Sequence, residues 1–249
     1  MNDLVTLDTT GRIATMTLCR VEARNALSLD LLSEMHRAAD SISSDESVSV
    51  VMLTGAGKAF CAGMDLKAVL DDPDAPGRLL GSLAEFCVKW RALPAVTLAK
   101  VNGAAIGGGC GLSTVCDLSV THEDSKMGFP EVDLGVCPAV VAPWLVRKIG
   151  AGPARRVLLQ GGVMSGKRAY EIGIVDHLAA DLAALDSTAD SIAKRLASGG
   201  PNALRATKRL LNSMDGSSDL AQARKGAELS AAVLALPEAR EMLRAKLTK

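Results

Sequence analysis

Two glycine-bearing segments of the chain could direct backbone N–H groups at one bound atom. The first is Lys58–Leu66, and the second is Val101–Leu112, in which Gly107–Gly109 follow an apolar strand and precede helix-like sequence. Backbone amides at a turn or at a helix start have no intrahelical acceptor and can donate to an outside group. Two such amides aimed at one point form an oxyanion hole, which polarises the carbonyl of an ester or thioester. The two segments therefore predict acyl chemistry.

The run of three glycines does not fit a dinucleotide-binding motif. A G-x-G-x-x-G pattern would need glycine at position 112 or 114, where Leu112 and Thr114 stand. Glycine has no Cβ, so the run permits the close approach of either a packed strand or a ligand. The residues alone leave helix–strand packing and oxyanion binding equally open.

Glu131 is the candidate for proton transfer. It lies in Met127–Val136 among Phe, Pro, Val and Leu residues, and apolar surroundings raise the pKa of a carboxyl toward neutrality. An isolated glutamate on a loop is usually solvent-exposed, so this candidate depends on the glycine segments. Asp133 shares the segment and is the weaker candidate.

Two other catalytic motifs are excluded. Gly161–Arg168 has the G-x4-G-K spacing of a phosphate loop, but Arg168 stands where Ser or Thr would bind magnesium, and the preceding residues read as helix. We expect a turn there, with Ser165 capping the next helix. The G-x-S-x-G elbow of the α/β-hydrolases does not occur in the sequence.

Composition indicates a globular protein without a nucleic-acid or membrane partner. The 249 residues are 48% hydrophobic, and 28 Lys and Arg balance 28 Asp and Glu. No net field favours nucleic acid, although a local basic patch could hold a phosphorylated cofactor. Aromatic residues make up 2%, too few for base-stacking platforms. The longest apolar run, 136–146, contains two prolines and is far shorter than the ~20 residues of a membrane span.

Cysteine usage and the N-terminal residues favour a cytoplasmic protein. Six cysteines include no C-x-x-C pair, and with only three histidines no metal site is expected. The predicted state is free, buried thiols in a reducing compartment. The first residues lack the basic and apolar regions of a signal peptide.

Strand and helix patterns alternate along the first 180 residues, which predicts an α/β fold. The predicted strands are 4–7, 13–18, 48–53, 96–100, 118–121 and 174–175, and helices are predicted after Ser28 and at 79–90. Residues 71–77 are polar and rich in chain breakers, which predicts a mobile loop that could gate a pocket. From position 181 the chain reads as helix over 181–197, 201–214, 219–236 and 238–248. We therefore expect a core, 1–180, and a helical oligomerisation region, 181–249.

Together these segments resemble the crotonase (enoyl-CoA hydratase/isomerase) superfamily. The motifs occur in order over nearly the whole chain and are Arg24–Leu27, Lys58–Leu66, Val101–Leu112 with Cys116-Asp117, Gly128–Gly135 with Pro138, and Gly173–Asp176. The resemblance implies a spiral of ββα turns with a C-terminal helical region. It also implies a homotrimer or a dimer of trimers.

The resemblance assigns roles to individual residues. It places the oxyanion-hole amides at Met64 and Gly108 and the acid/base carboxyl at Glu131. It assigns contacts with the acyl-CoA thioester to Arg24, Ala26, Ala62, Asp65, Leu66, Gly107, Gly111 and Pro130. No metal and no cofactor is implied, because coenzyme A is part of the substrate.

One departure from the family pattern concerns the reaction. Hydratases of the family usually carry a second glutamate where this chain has Gly111, and the second acid of dienoyl-type isomerases would fall near Ala139. A single glutamate suits a double-bond isomerase, in which one base carries a proton between carbons. However, Gly135–Val141 also resembles branched-chain or terpenoid glutaconyl-CoA hydratases, several of which have glycine at this site.

Four activities remain open at this stage. The working assignment is an enoyl-CoA hydratase, and the alternatives are an enoyl-CoA isomerase, a binding or scaffold protein that has lost the chemistry, and a CoA thioesterase. A thioesterase is included because an oxyanion hole also stabilises a tetrahedral intermediate.

Overall fold

The computed structural model of the chain describes residues 3–72 and 74–247. Across these residues the strands are Val5–Thr10 (β1), Ile13–Leu18 (β2), Val50–Gly55 (β3), Ala59–Cys61 (β4), Val96–Val101 (β5), Ala104–Ile106 (β6), Leu118–His122 (β7), Lys126–Gly128 (β8), Val163–Ser165 (β9) and His177–Ala179 (β10). The α-helices are Leu29–Ser44 (α1), Leu66–Asp71 (α2), Ala75–Ala92 (α3), Gly108–Val115 (α4), Ala142–Ile149 (α5), Ala151–Gln160 (α6), Gly166–Glu171 (α7), Leu182–Ala197 (α8), Pro201–Asp215 (α9), Leu220–Leu234 (α10) and Pro237–Leu247 (α11).

These strands form two sheets, and from β3 to β8 successive strands alternate between them. The larger sheet has the order β1-β2-β3-β5-β7-β10 and the smaller β4-β6-β8-β9. The pairs β3–β4, β5–β6 and β7–β8 each place their first strand in the larger sheet and their second in the smaller, and helical segments follow. This repeat is the ββα spiral, and the predicted α/β class and spiral fold are confirmed.

Sequence patterns explain the elements that carry the site. Every residue of β3 is buried, as expected of a central parallel strand covered on both faces. Ser28 caps α1, because its hydroxyl accepts a hydrogen bond from the Leu31 amide at 3.2 Å. Ser165 caps α7 in the same way through the Arg168 amide, as predicted.

Helices from the C-terminal part of the chain pack on both layers. Leu185, Ala189 and Ala193 of α8 form one buried apolar cluster with residues of the larger sheet that include Val50 and Leu98. On the other side, α10 lies along α3 and contributes to the main core. The boundary at residue 180 stays a prediction, and the helices themselves agree with the sequence patterns. No helix in the described ranges is both long enough and apolar enough to cross a membrane.

Two local predictions are wrong. Ile174 and Val175 are buried but form a turn after α7, since both amides donate to the Ala169 carbonyl, and the strand forms at His177–Ala179 instead. The predicted loop at 71–77 is mostly helical. Pro76 lies in the first turn of α3, where its missing N–H costs nothing. Residues 73 and 248, which two of the predicted segments include, lie outside the described residues.

Candidate active site

The Arg24–Leu27 segment lies alongside the segment that contains Met64. The Leu27 amide donates to the Gly63 carbonyl at 2.7 Å, and the Leu27 carbonyl accepts from the Asp65 amide at 3.0 Å. These two bonds form a parallel β-bridge that uses the residues before and after Met64, Gly63 and Asp65. Within the described residues the Met64 N–H itself donates no hydrogen bond to the main chain. That amide therefore faces away from Leu27 and can serve a ligand.

An unusual backbone turn brings the first segment into this position. Arg24 and Asn25 both have left-handed backbone, with φ of 52° and 56°. Asn25 is fully buried, and its Nδ2 donates to the carbonyls of Ala56 and Ala59 at 3.1 and 2.9 Å. Asparagine tolerates this conformation better than most residues. Its two hydrogen bonds fasten the turn to the start of β4.

Gly107 and Gly109 serve different purposes. Gly107 adopts φ 53° and ψ −119°, and its amide donates to the Gly128 carbonyl at 2.8 Å. Helix α4 begins at Gly108, so the Gly108 N–H has no intrahelical acceptor. A Cβ on Gly109 would overlap the Cys61 carbonyl oxygen. Close packing on β4 thus accounts for Gly109, while the turn at Gly107 sets the direction of the helix start.

The two glycine segments lie side by side. A Cβ on Gly63 would be 2.7 Å from the Ile106 oxygen and 3.8 Å from the Gly108 nitrogen. Met64 and Gly108 both border the same cavity. The structure therefore brings together the two residues whose amides the family resemblance implies as oxyanion donors. Their role in binding an oxyanion stays a prediction.

Glu131 points its carboxyl at this glycine turn. A Cβ on Gly107 would be 3.0 Å from Glu131 Oε1, so a side chain there would press on the carboxyl. Glu131 Oε2 is buried and has no hydrogen-bond partner among the described residues. Burial raises the pKa of Glu131 to about 7 from an ordinary 4.5. A carboxyl with that pKa can both accept and donate a proton near neutral pH.

Hydrogen bonds to the main-chain carbonyl of Glu131 hold the backbone turn from which its side chain projects. This carbonyl accepts from the amides of Leu134 and Val136 at 3.0 and 2.8 Å. The residue thus begins a short 3-10 turn, Val132–Leu134, which Gly135 ends with φ 69°. The Glu131 side chain therefore projects from a turn that the Leu134 and Val136 amides hold in place.

The predicted reacting groups share one largely apolar cavity, which we call the inner cavity. It encloses about 610 Å³, part of it open to solvent. The residues lining it come from the glycine segments, the Glu131 turn, α3 and α10, and are Ala62, Gly63, Met64, Leu66, Leu80, Leu83, Ile106, Gly107, Gly108, Pro130, Glu131, Leu134, Val136, Cys137, Pro138, Val140, Val141 and Ser230.

Four of the predicted contact residues lie away from the lining of the inner cavity. Arg24 is exposed and Ala26 is half-buried on the neighbouring turn. The Asp65 carboxylate pairs with Arg20 at 2.7 Å. Gly111 is buried behind Val141, because a Cβ there would overlap Val141 Cγ1. Gly111 is therefore a packing position, and no side chain could occupy it without moving Val141.

Asp133, the weaker sequence candidate, lies outside the inner cavity. Its side chain is exposed, and its carboxylate accepts a hydrogen bond from the Gly162 amide at 2.7 Å. This contact holds the turn before β9. The residue therefore has a structural partner and does not join Glu131 at the reacting groups.

Cysteine chemistry makes no further site in the described part of the chain. Cys61, Cys87, Cys110 and Cys116 are buried, as predicted, and burial raises the pKa of each thiol. Cys19 and Cys137 are only half-buried, which differs from the prediction, and Cys137 lies at the inner cavity. Within residues 3–72 and 74–247, no three His, Cys, Asp or Glu side chains are grouped to hold a metal ion.

Several lining residues could not be identified from sequence patterns. Leu80 and Leu83 of α3 read only as core residues of an amphipathic helix. Ser230 of α10 gave no signal, because it reaches the cavity from almost a hundred residues farther along the chain than Glu131. Such contacts depend on how the last helices fold back over the spiral.

The raised pKa of Glu131 predicts a pH-dependent stability. The folded protein binds the Glu131 proton more tightly than the unfolded chain does. This contribution is therefore fully present below pH 4.5 and is lost as the pH rises through about 7. The free energy of unfolding of wild type relative to Glu131→Gln should fall by about 2 to 3 kcal/mol between pH 5 and pH 8. Urea unfolding of both proteins at the two pH values measures this change. A difference that stays constant with pH would contradict the burial of this carboxyl.

Comparison with known proteins gives consistent matches over nearly the whole chain. Residues 8–240 match the family model described as "Enoyl-CoA hydratase/isomerase". The chain is 33% identical over 211 residues to a short-chain-enoyl-CoA hydratase of Clostridium acetobutylicum, covering 84% of this chain and 80% of the relative.

Solved structures agree with the sequence matches. An enoyl-CoA hydratase from Mycobacterium avium superposes with a TM-score of 0.86 at 31% identity, covering 100% of this chain and 97% of the other. An enoyl-CoA hydratase/isomerase from Xanthobacter autotrophicus Py2 gives a TM-score of 0.87 at 30% identity, with the same coverage of 100% and 97%.

Proposed function

Since the chain belongs to the enoyl-CoA hydratase/isomerase family, we propose that it is an enoyl-CoA hydratase-type enzyme whose one acid/base residue is Glu131. The observation that carries this proposal is the buried Glu131 carboxyl. It faces the glycine turn at Gly107, has an oxygen without a partner, and has a pKa of about 7. Such a group is suited to moving a proton at a bound substrate.

The thioester carbonyl would bind between the amides of Met64 and Gly108. Negative charge grows on this oxygen as an enolate forms, and amides already in place stabilise it without reorganisation. Each such donor contributes about 2.7–4 kcal/mol in measured oxyanion holes. The largely apolar lining lowers the local dielectric constant, which strengthens these hydrogen bonds.

Hydration requires one proton to leave water and one to reach the α-carbon. The Glu131 carboxylate takes a proton as the water oxygen bonds to the β-carbon, and the thioester becomes an enolate. Glu131 then gives that proton to the α-carbon, the C–H bond forms, and the carboxylate is restored. One glutamate thus serves both steps when both carbons lie on its side of the substrate.

The coenzyme A part of the substrate would lie along the paired segments near Arg24 and Met64. Ala26, Ala62, Asp65 and Leu66 belong to these segments, and Pro130 and Gly107 flank the acyl end. The exposed Arg24 could meet a phosphate of coenzyme A. No cofactor beyond the substrate's own coenzyme A is required. We also propose that the enzyme works in the cytoplasm as a homotrimer or a dimer of trimers.

A second candidate function is double-bond isomerisation. It is favoured by Glu131 being the sole carboxylate among the described residues of the inner cavity. Val141 fills the space beside Gly111 where a second carboxylate would have to stand. One base can remove a proton from the α-carbon and return it to the γ-carbon, and this reaction needs no bound water.

Two substrates offered in turn distinguish the candidates. Loss of the conjugated-thioester absorbance of a 2-enoyl-CoA marks hydration, and its gain from a 3-enoyl-CoA marks isomerisation. Release of free thiol would indicate a thioesterase. Binding of acyl-CoA without change to either substrate would overturn both enzyme assignments and leave a binding protein.

A further inference from the structure

One short segment separates the inner cavity from a second apolar space. Val136, Cys137 and Pro138, which we call the wall, line both spaces. The second space, the outer groove, is more open and is also lined by Val132, Gly135, Val146, Ala151, Arg155, Leu158, Leu159 and Val233. Because the same three residues border both spaces, the wall decides whether they connect.

The wall is held from two directions. Ser230 of α10 donates from Oγ to the Cys137 carbonyl at 2.7 Å and accepts from the Ala139 amide at 3.1 Å. Gly226, one turn earlier, lets α10 approach, since a Cβ there would be 2.6 Å from the Ala139 oxygen. On the other side, the Val136 amide donates to the Glu131 carbonyl. The wall is therefore a fixed part of the site.

The chemistry of both spaces selects an apolar chain. The wall is bordered on the inner side by Leu134, Val140 and Val141, and on the outer side by Val146 and Leu159. Ser230 offers little to a ligand, because its hydroxyl is already occupied on both its donor and acceptor sides. An acyl chain that enters beside Glu131 thus meets hydrocarbon until it reaches the wall.

We infer that the wall limits the length of the acyl group, so that this enzyme prefers short acyl-CoA thioesters. This inference rests on the proposed function. Opening the wall would let the distal methylenes of a longer chain pass into the outer groove. Val136 is the residue to change, because it is 6% exposed and borders both spaces.

The test measures the affinity of saturated acyl-CoA esters of increasing chain length, which bind without reacting. Wild-type affinity should rise with length and then fall at the first chain that reaches the wall. In Val136→Ala that first rejected ester should bind about 10-fold more tightly, the effect of accommodating one further methylene. A wild type that binds long esters as tightly as short ones would overturn the inference.

Leu159 supplies the matched control, because it lines only the outer groove and is 68% exposed. Leu159→Ala alone should leave every wild-type affinity unchanged. In the double variant with Val136→Ala, it should cancel most of the gain in affinity that Val136→Ala gives for long esters. A gain in affinity that persists in the double variant would show that the acyl chain does not enter the outer groove. Cys137→Ala, checked by its melting temperature, replaces Val136→Ala if that variant fails to fold. Failure of all esters to bind wild type would instead refute the proposed function.

Discussion

Glu131→Gln is expected to lower the turnover of an enoyl-CoA ester by about 10²–10⁴-fold and to leave ester binding nearly unchanged. Glutamine has the shape of a protonated glutamate and carries no charge, so it fits the buried site where the neutral acid is already stable near pH 7. It cannot exchange a proton with water or with the α-carbon. The measurement is kcat for the preferred substrate together with the Kd of a saturated acyl-CoA.

Asp133→Asn is the control for this experiment. It removes the charge of a carboxylate two residues from Glu131 that is exposed and lies outside the inner cavity. Its turnover should stay close to that of wild type. Full turnover by Glu131→Gln would remove Glu131 from the chemistry, whereas parallel losses in the two variants would indicate general disturbance of the loop.

Local sequence signals were sufficient to place several helix starts. Ser28, Ser165 and Pro201 mark the helix starts where the structure has them, because capping and the fixed φ of proline act within one turn. The glycine run was ambiguous for a physical reason. Gly109 allows α4 to pack closely on β4, and Gly107 leaves room for the Glu131 carboxyl. The sequence shows only that both residues lack a side chain.

Sequence signals were insufficient where contacts between distant segments determine the local structure. Pro76 reads as a chain breaker, yet it also fits the first turn of a helix, and the tertiary structure selects the second possibility. The sequence did not show that the wall would lie between two spaces or that Ser230 would hold it, because both depend on α10 packing against the segment after Glu131. The family resemblance assigned the roles of Glu131 and of the paired amides, but only the structure showed that Val141 packs against Gly111.

The absence of a carboxylate at position 111 has a packing cause. A side chain at 111 would collide with Val141, which lies at the end of the loop leading into α5. Restoring a second glutamate would therefore require a smaller residue at 141 as well. Positions 111 and 141 therefore have to be changed together. A single replacement at Gly111 would overpack the core, so a loss of activity in that variant would not reveal the role of a second carboxylate.

Gly63→Ala is expected to reduce kcat by about 10²-fold, since a displacement of about 1 Å at reacting groups has an effect of this size. Gly63 has φ 90°, a conformation that a residue with a Cβ rarely adopts, and its new methyl would lie 2.7 Å from the Ile106 oxygen. Relief of this contact moves either the Met64 amide or the turn that carries the Gly108 amide. Both proposed donors to the thioester oxygen are thus disturbed by one methyl group.

Gly81→Ala is the matched control for Gly63→Ala. A Cβ at Gly81, inside α3, meets nothing within 4 Å, and alanine in a helix is about 0.5–1 kcal/mol more favourable than glycine. This variant should keep wild-type kcat and melt at a slightly higher temperature. The decisive quantity is kcat of Gly63→Ala at a temperature where the variant is folded, because a loss there with little change in KM places the damage in the transition state. Wild-type kcat in a folded Gly63→Ala protein would mean that the amides of Met64 and Gly108 do not act together on the substrate.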